Sequence, residues 1–413
     1  MCDFLSAAPS NTWLLQTTIN LMIQTLNLET VVAEVLASTQ VIDIHTHLFA
    51  PGFGRLALWG IDHLLTYHYL EAELFRSAPI RPEQYWALSI SQRADLVWKT
   101  LFVENNPISE ATRGAIAVLN AFGLNTSERT LTLYRDFFRA QNLPDHITRV
   151  FQLAGIESVV MTNDPLDPEE SPLWDTATPD PRFQAALRLD RLLNQKTTYT
   201  PDDARRFLKT WAMRMRAVYM AVSLPDSFQF STHDRRSQLL TEAVLPACRD
   251  LNIPLSLMIG VRRQVNPAIR LAGDASGRAD LRSIETLCRE FPDNRFLVSV
   301  LSRENQHELC VYARKFANLM PFGCWWFLNN PSMVEEITRE RLEMLGTSFI
   351  PQHSDARILE QVIYKWRNTR RTLAPVLTNT YRLLAEDGRS VTRADIECDV
   401  QRLFRTNFQT FTS

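Results

Sequence analysis

The sequence predicts an α/β fold, a (β/α)8 barrel, on three observations. Eight short apolar segments recur along the 413 residues and mostly alternate with stretches of helical period. Strands that are apolar on both faces mark a parallel sheet covered by helices, and eight such units suit a closed barrel. Polar residues gather just past the C-terminal ends of those segments, the face on which barrel enzymes keep their chemistry. The first segment, Val41-Ile-Asp-Ile-His-Thr-His-Leu-Phe49, ends in a His-x-His pair. Strand residues i and i+2 point to one side, so His45 and His47 can offer two imidazoles to one ion, with Asp43 on the same face as support. The alternative is an open doubly wound sheet. No Gly-x-Gly-x-x-Gly follows the first strand, which counts against its dinucleotide-binding form.

In chain order, residues 1–40 read as a polar lead-in and then a helix carrying Leu26, Val31, Val32, Val35 and Leu36 at helical spacing. Residues 60–150 show little strand signal. Helical period over Ile61–Arg76, 82–102, 109–122 and 127–141 makes this a helical insertion, longer than an ordinary crossover and suited to cap the barrel. Further strands are expected at Ser158–Thr162, Phe183–Leu189, Val218–Leu224, Pro254–Gly260, Phe296–Leu301, Leu319–Gly323 and Ser348–Pro351. Most are closed by turn formers such as Asn163-Asp164-Pro165. Helices fall at about 202–216, 236–251, 280–291, 305–317 and 331–345, and two long ones near 357–385 and 392–407 end the chain. The reading is one barrel domain over 1–413, with 60–150 as insertion or cap and 357–413 as C-terminal helices.

A 45% hydrophobic composition is ample for a large core. Net charge is −2 with no basic block, which gives nucleic acid no footprint. No apolar run reaches the roughly 18 residues that a membrane span needs, and Met-Cys-Asp-Phe-Leu lacks the basic start of a secretory signal. The six cysteines form no CxxC pair and read as reduced, mostly buried thiols of a cytoplasmic protein.

Asp355 follows the last strand, which neighbours the first in a closed barrel. It is therefore the candidate third ligand to His45 and His47; its competing role, with Ser354, is to cap the helix beginning near Arg357. Arg188, Arg303 and Arg357 end strands on the same face. Together they suggest an anionic substrate, since the guanidinium fork grips a carboxylate at two points; surface ion pairing is the alternative. On the inserted helix, His68 could donate to an oxygen. Tyr69 could shuttle a proton if a nearby cation lowers its pKa. Trp325 and Trp326 could wall a sugar or fill the core. His307 reads as structural, and His63, His146 and His233 as surface or helix-packing residues.

Several of these stretches occur together and in order: His45-Thr-His47, Tyr67-His-Tyr69-Leu-Glu-Ala-Glu-Leu-Phe-Arg76, Met161-Thr-Asn-Asp-Pro165, Leu187-Arg-Leu-Asp190, Gly323-Cys-Trp-Trp-Phe327 and His353-Ser-Asp-Ala-Arg357. From about residue 20 onward the chain resembles the uronate (glucuronate) isomerase family of the amidohydrolase superfamily, in a divergent bacterial branch. The resemblance implies a distorted (β/α)8 barrel of the metal-dependent hydrolase type. It implies interconversion of D-glucuronate with D-fructuronate and of D-galacturonate with D-tagaturonate through a cis-enediol. It also implies zinc on His45, His47 and Asp355, catalysis by Asp355, Tyr69 and His68, and substrate binding by Arg188 and Arg357. The expected partner is a small uronate, and a homo-oligomer is compatible with it. One departure stands out: where the main family carries a third metal histidine, this chain has Met258, a poor zinc ligand, so the ion is expected to be weakly held or dispensable. No lysine stands near Ser223–Asp226, which argues against a carbamate-bridged pair of metals. A metal-dependent hydrolase of a lactone or amide, with His45, His47 and Asp355 activating water, is the alternative activity. A non-catalytic sugar-acid binder is a third reading, disfavoured by the retained Asp355 and Tyr69.

Overall fold

The computed structural model describes residues 27–195, 198–230 and 234–413. The expectations for Leu26, Cys2 and His233 lie outside them. The sheet contains β1 (Val41–Thr46), β2 (Ile156–Asn163), β3 (Phe183–Arg188), β4 (Met220–Pro225), β5 (Leu255–Arg262), β6 (Ala275–Ser276), β7 (Phe296–Val300) and β8 (Leu319–Pro321). The order is β1-β2-β3-β4-β5-β7-β8, every neighbouring pair parallel. The two-residue β6, not expected from the sequence, returns antiparallel against the end of β5.

Seven of the eight expected strands are thus present as regular strands. The eighth, expected at Ser348–Pro351, is reduced to a single bridge between Ile350 and Phe322. Pro351 has no N–H to carry a ladder onward. The segment nevertheless closes the ring. On one side Ile350 N–H donates to Pro321 O at 3.0 Å and Gly323 N–H to Ile350 O at 2.9 Å; on the other, Asp355 N–H donates to His45 O at 3.2 Å and His47 N–H to Ala356 O at 2.7 Å. Gly323 has no substitute here. Its φ is +65°, and a Cβ would lie 2.0 Å from the His353 ring.

Both faces of the strands are buried, as a parallel sheet requires. Ile42, Ile44, Val160, Ala186, Ala221, Met258 and Leu297 form the barrel interior. Their strand neighbours Val41, Val159, Ala185, Met220 and Leu257 pack outward. The register of β1 on β2 slips between Asp43 and Thr46. Asp43 consequently does not support the imidazoles as expected. Its buried carboxylate accepts Trp366 Nε1 at 2.8 Å and Ser354 N at 3.0 Å, so it braces the closing segment instead.

Between β1 and β2 the chain is helical from Ile61 to Ala154, in seven α-helices and a π-helical turn. The single helix expected over 82–102 is broken before Ser89, whose side chain accepts Gln92 N in a capping box. This region is stapled to the barrel by Glu360, just before the long helix Gln361–Glu386. Its Oε1 accepts Gly60 N at 3.0 Å and lies 2.7 Å from Nε2 of the fully buried His146. Glu360→Ala strips both groups of their partner inside the core. The expected cost is about 3–5 kcal/mol of stability, read in urea titrations as a lower midpoint at unchanged slope.

Candidate active site

The slip in β1 sends His45 and His47 to the mouth of the barrel. Their Nε2 atoms lie 3.7 and 3.4 Å from Asp355 Oδ1, and one ligand atom from each of the three residues falls within 4.8 Å of the others. His45 Nδ1 lies 3.2 Å from the Tyr219 hydroxyl, and His47 Nδ1 2.9 Å from Thr162 Oγ1. Burial, the largest influence on each, pushes the pKa of His45 down to about 3 and that of His47 well below its ordinary value, so both rings are neutral near pH 7. Asp355 sits at φ +53°, a left-handed conformation that costs a non-glycine residue about 1–3 kcal/mol. The bond from its amide to His45 O holds it there.

These residues fit a cation. Asp355 Oδ1 is buried and has no hydrogen-bond partner, and two neutral imidazoles face it. Two nitrogens and a carboxylate oxygen are a donor set that zinc accepts, leaving positions for water or substrate. Met258 lines a recess together with His45 and His47, so a thioether stands at that position of β5; the buried His353 ring lies 5.1 Å from that of His45.

A second recess is lined by His45, His47, His68, Arg188, Ser223, Arg263, Trp325, Trp326, Asp355 and Arg357. It shares His47, Arg188, Ser223, Arg263 and Arg357 with a larger cavity of about 860 Å³, ample for a small polar ligand. Arg188 is paired with Asp190 at 3.1 Å and Arg263 with Asp274 at 2.6 Å. The Arg357 guanidinium has no acidic partner among the described residues. His68 Nε2 and Trp326 Nε1 are buried without partners, the state of groups kept for a ligand's oxygens. Burial holds His68 neutral, well below its ordinary pKa.

Nine of the ten expected site residues therefore lie in or beside one recess. Tyr69 is beside it, its ring 4.7 Å from that of His68 and under Lys365 Nζ at 5.4 Å. The protein's own cations do not lower its pKa. Burial first, then Tyr67 and Asp355, push the phenol well above its usual value, so Tyr69 remains a protonated donor. Arg303 is the exception: contrary to expectation, it lies away from the recess. It sits on the short turn Arg303–Asn305 with its side chain 61% exposed, and Glu336 neutralises it at 2.7 Å. The strand-end rule placed it on the correct rim but could not tell an inward from an outward side chain. The same rule could have found Arg263, just past β5. Nothing in the sequence marks Tyr219, which reads as an ordinary strand aromatic.

A parallel barrel with His-x-His at the end of its first strand and an aspartate from the segment that closes the ring defines a barrel of the kind that can hold a cation at its mouth. No protein-family model and no curated protein matches the chain. Among solved structures, it is similar to a uronate isomerase from Bacillus halodurans C-125, with 46% identity and a TM-score of 0.91 over 94% of this chain and 96% of that one. A uronate isomerase from Thermotoga maritima shares the fold at 15% identity and a TM-score of 0.72, covering 93% and 97% of the two chains. A glucuronate isomerase from Caulobacter crescentus shares it at 15% and 0.68, covering 94% of each. The chain belongs to the uronate isomerase family.

Assayed with a uronate, Arg188→Ala should lower kcat/KM by about 30-fold or more, the equivalent of about 2 kcal/mol for a lost buried charge contact. Arg303→Ala should leave kcat/KM within about twofold, because an exposed pair contributes little.

Proposed function

We propose that the protein is an aldose–ketose isomerase of hexuronates, interconverting D-glucuronate with D-fructuronate and D-galacturonate with D-tagaturonate. The observation that carries this reading is the recess itself. It joins an unneutralised cation, Arg357, to a buried carboxylate without a hydrogen-bond donor, Asp355. An acidic sugar needs the first, and a shuttled carbon-bound proton needs the second.

The reaction moves one proton from C2 to C1 and another from the C2 oxygen to the C1 oxygen. Arg357 and Arg188 grip the substrate's carboxylate or hydroxyls in two-point fashion. That holds the open chain with both reacting oxygens on one side and favours a cis-enediol. Asp355 takes the C2 proton and returns it to C1 on the same face. His68, neutral, holds an oxygen of the sugar by its N–H, and Tyr69, a protonated phenol, trades protons with the two reacting oxygens. Trp325 and Trp326 wall the sugar and keep bulk water from the intermediate. His45, His47 and Asp355 would hold a metal ion, zinc by its preference for such donors; when bound, it supplies a fixed positive charge that anchors substrate oxygens. No nicotinamide or flavin is required, because the conversion is redox-neutral.

Turnover of a uronate panel, followed by NMR in deuterated water with and without chelator, tests the reading. Asp355→Asn should depress both C2-proton exchange and turnover by about 10²–10⁴-fold; near-normal exchange would remove Asp355 from the role. Hydrolysis of a lactone or amide, abolished by chelator, would favour a water-activating hydrolase instead. Met258→His should tighten zinc binding by restoring a third imidazole beside the other two, measured by competition with a chromophoric chelator; unchanged affinity would mean that position 258 is not a ligand position.

A further inference from the structure

The two imidazoles are each held by a hydroxyl, and the hydroxyls are held in turn by β1. Tyr219, just before β4, donates its O–H to Ile44 O at 2.7 Å. Thr162, on β2, donates its O–H to Thr46 O at 2.9 Å. A carbonyl has no hydrogen to give, and each hydroxyl has only one. With that hydrogen committed, each oxygen can only accept from the ring nitrogen beside it: His45 Nδ1 at 3.2 Å and His47 Nδ1 at 2.9 Å.

We infer that Tyr219 and Thr162 are positioning residues that lock His45 and His47 in the Nδ1–H tautomer, turning both Nε2 lone pairs toward Asp355 Oδ1 as a preformed cation site. The same circuit is built twice. In each, the carbonyl of the residue before the histidine takes the hydroxyl's hydrogen, and the hydroxyl takes the histidine's. The two hydroxyls come from either side of β3, so no local repeat in the sequence produces them. The orphaned Asp355 Oδ1 is the independent sign that the arrangement serves an ion. Were either Nε2 to carry the proton, a donor would point at that oxygen; the separations of 3.7 and 3.4 Å are instead those of acceptors arranged around a gap. Ligating histidines are commonly oriented by a bond from the other ring nitrogen, and losing that bond weakens metal affinity. Here a phenol and an alcohol serve where carboxylates or carbonyls usually do. They fix orientation without adding charge to a site that already lacks one imidazole. The inference rests on reading His45, His47 and Asp355 as a metal site.

The test uses Tyr219→Phe and Thr162→Val, which keep side-chain volume and delete the acceptor, with Thr162→Ser as the variant that restores it. Nitrogen-15 NMR of histidine-labelled, metal-free protein reads the tautomers directly. Titration with Zn²⁺ or Co²⁺ against a chromophoric chelator reads the affinity. The expected result is Nδ1–H for both rings in the unaltered protein. Affinity should fall by about 10–100-fold in Tyr219→Phe and in Thr162→Val and recover in Thr162→Ser. Nε2–H in the unaltered protein, or affinities within twofold in both variants, would overturn the inference. Should the unaltered protein take up neither ion, the metal reading itself falls, while the NMR tautomers still decide whether the two hydroxyls act as described.

Discussion

The bond from the Asp355 amide to the His45 carbonyl is the contact on which the site depends. It joins the last segment of the barrel to the first strand across some 310 residues of chain. It closes the ring at its weakest position, where Pro351 ends any regular pairing. It also fixes where the Asp355 carboxylate sits relative to the two imidazoles. A left-handed φ at a buried aspartate is unfavourable by itself. It persists because the hydrogen bonds of Ala356, Ser354 and His45 around it leave the backbone no other course.

Burial then sets the chemistry. The imidazoles are neutral because desolvation outweighs the pull of Asp355 on His45 and of Asp190 on His47. Tyr69 is protonated because burial and neighbouring phenol and carboxylate groups oppose its ionisation. The cations are divided by their partners. Asp190 and Asp274 pair with Arg188 and Arg263, and Arg357 is left without an acidic partner among the described residues. Asp43 shows the same division of labour. It lies two residues from His45 yet is turned to Trp366 and Ser354, so it serves the frame and not the imidazoles.

Much of the fold was legible in advance because the parallel sheet writes itself as short apolar runs between amphipathic helices. Seven strands and most helices appear where the pattern put them. The weak eighth strand was overread, since an apolar Ser348–Pro351 looks like a strand whether or not its amides find partners. The insertion was legible as helical, but not its breaks, which depend on single capping residues such as Ser89. In the site, the resemblance and the strand-end rule together named most of the recess. They failed where side-chain direction decides, at Arg303 and Arg263.

What the sequence determined by itself was the periodicity of the barrel, the His-x-His at its first strand and the absence of a third imidazole at Met258, because these are matters of residue type and local spacing. What only the tertiary structure decided was which groups meet. A slip of register in β1, a chain segment returning from residue 355, and hydroxyls from β2 and the residue before β4 decide which imidazole nitrogens face Asp355 and which arginine has no acidic partner among the described residues. Hydrogen bonds and ion pairs act at contact range, and contact between residues tens or hundreds of positions apart is a property of the closed barrel, not of any stretch of the chain.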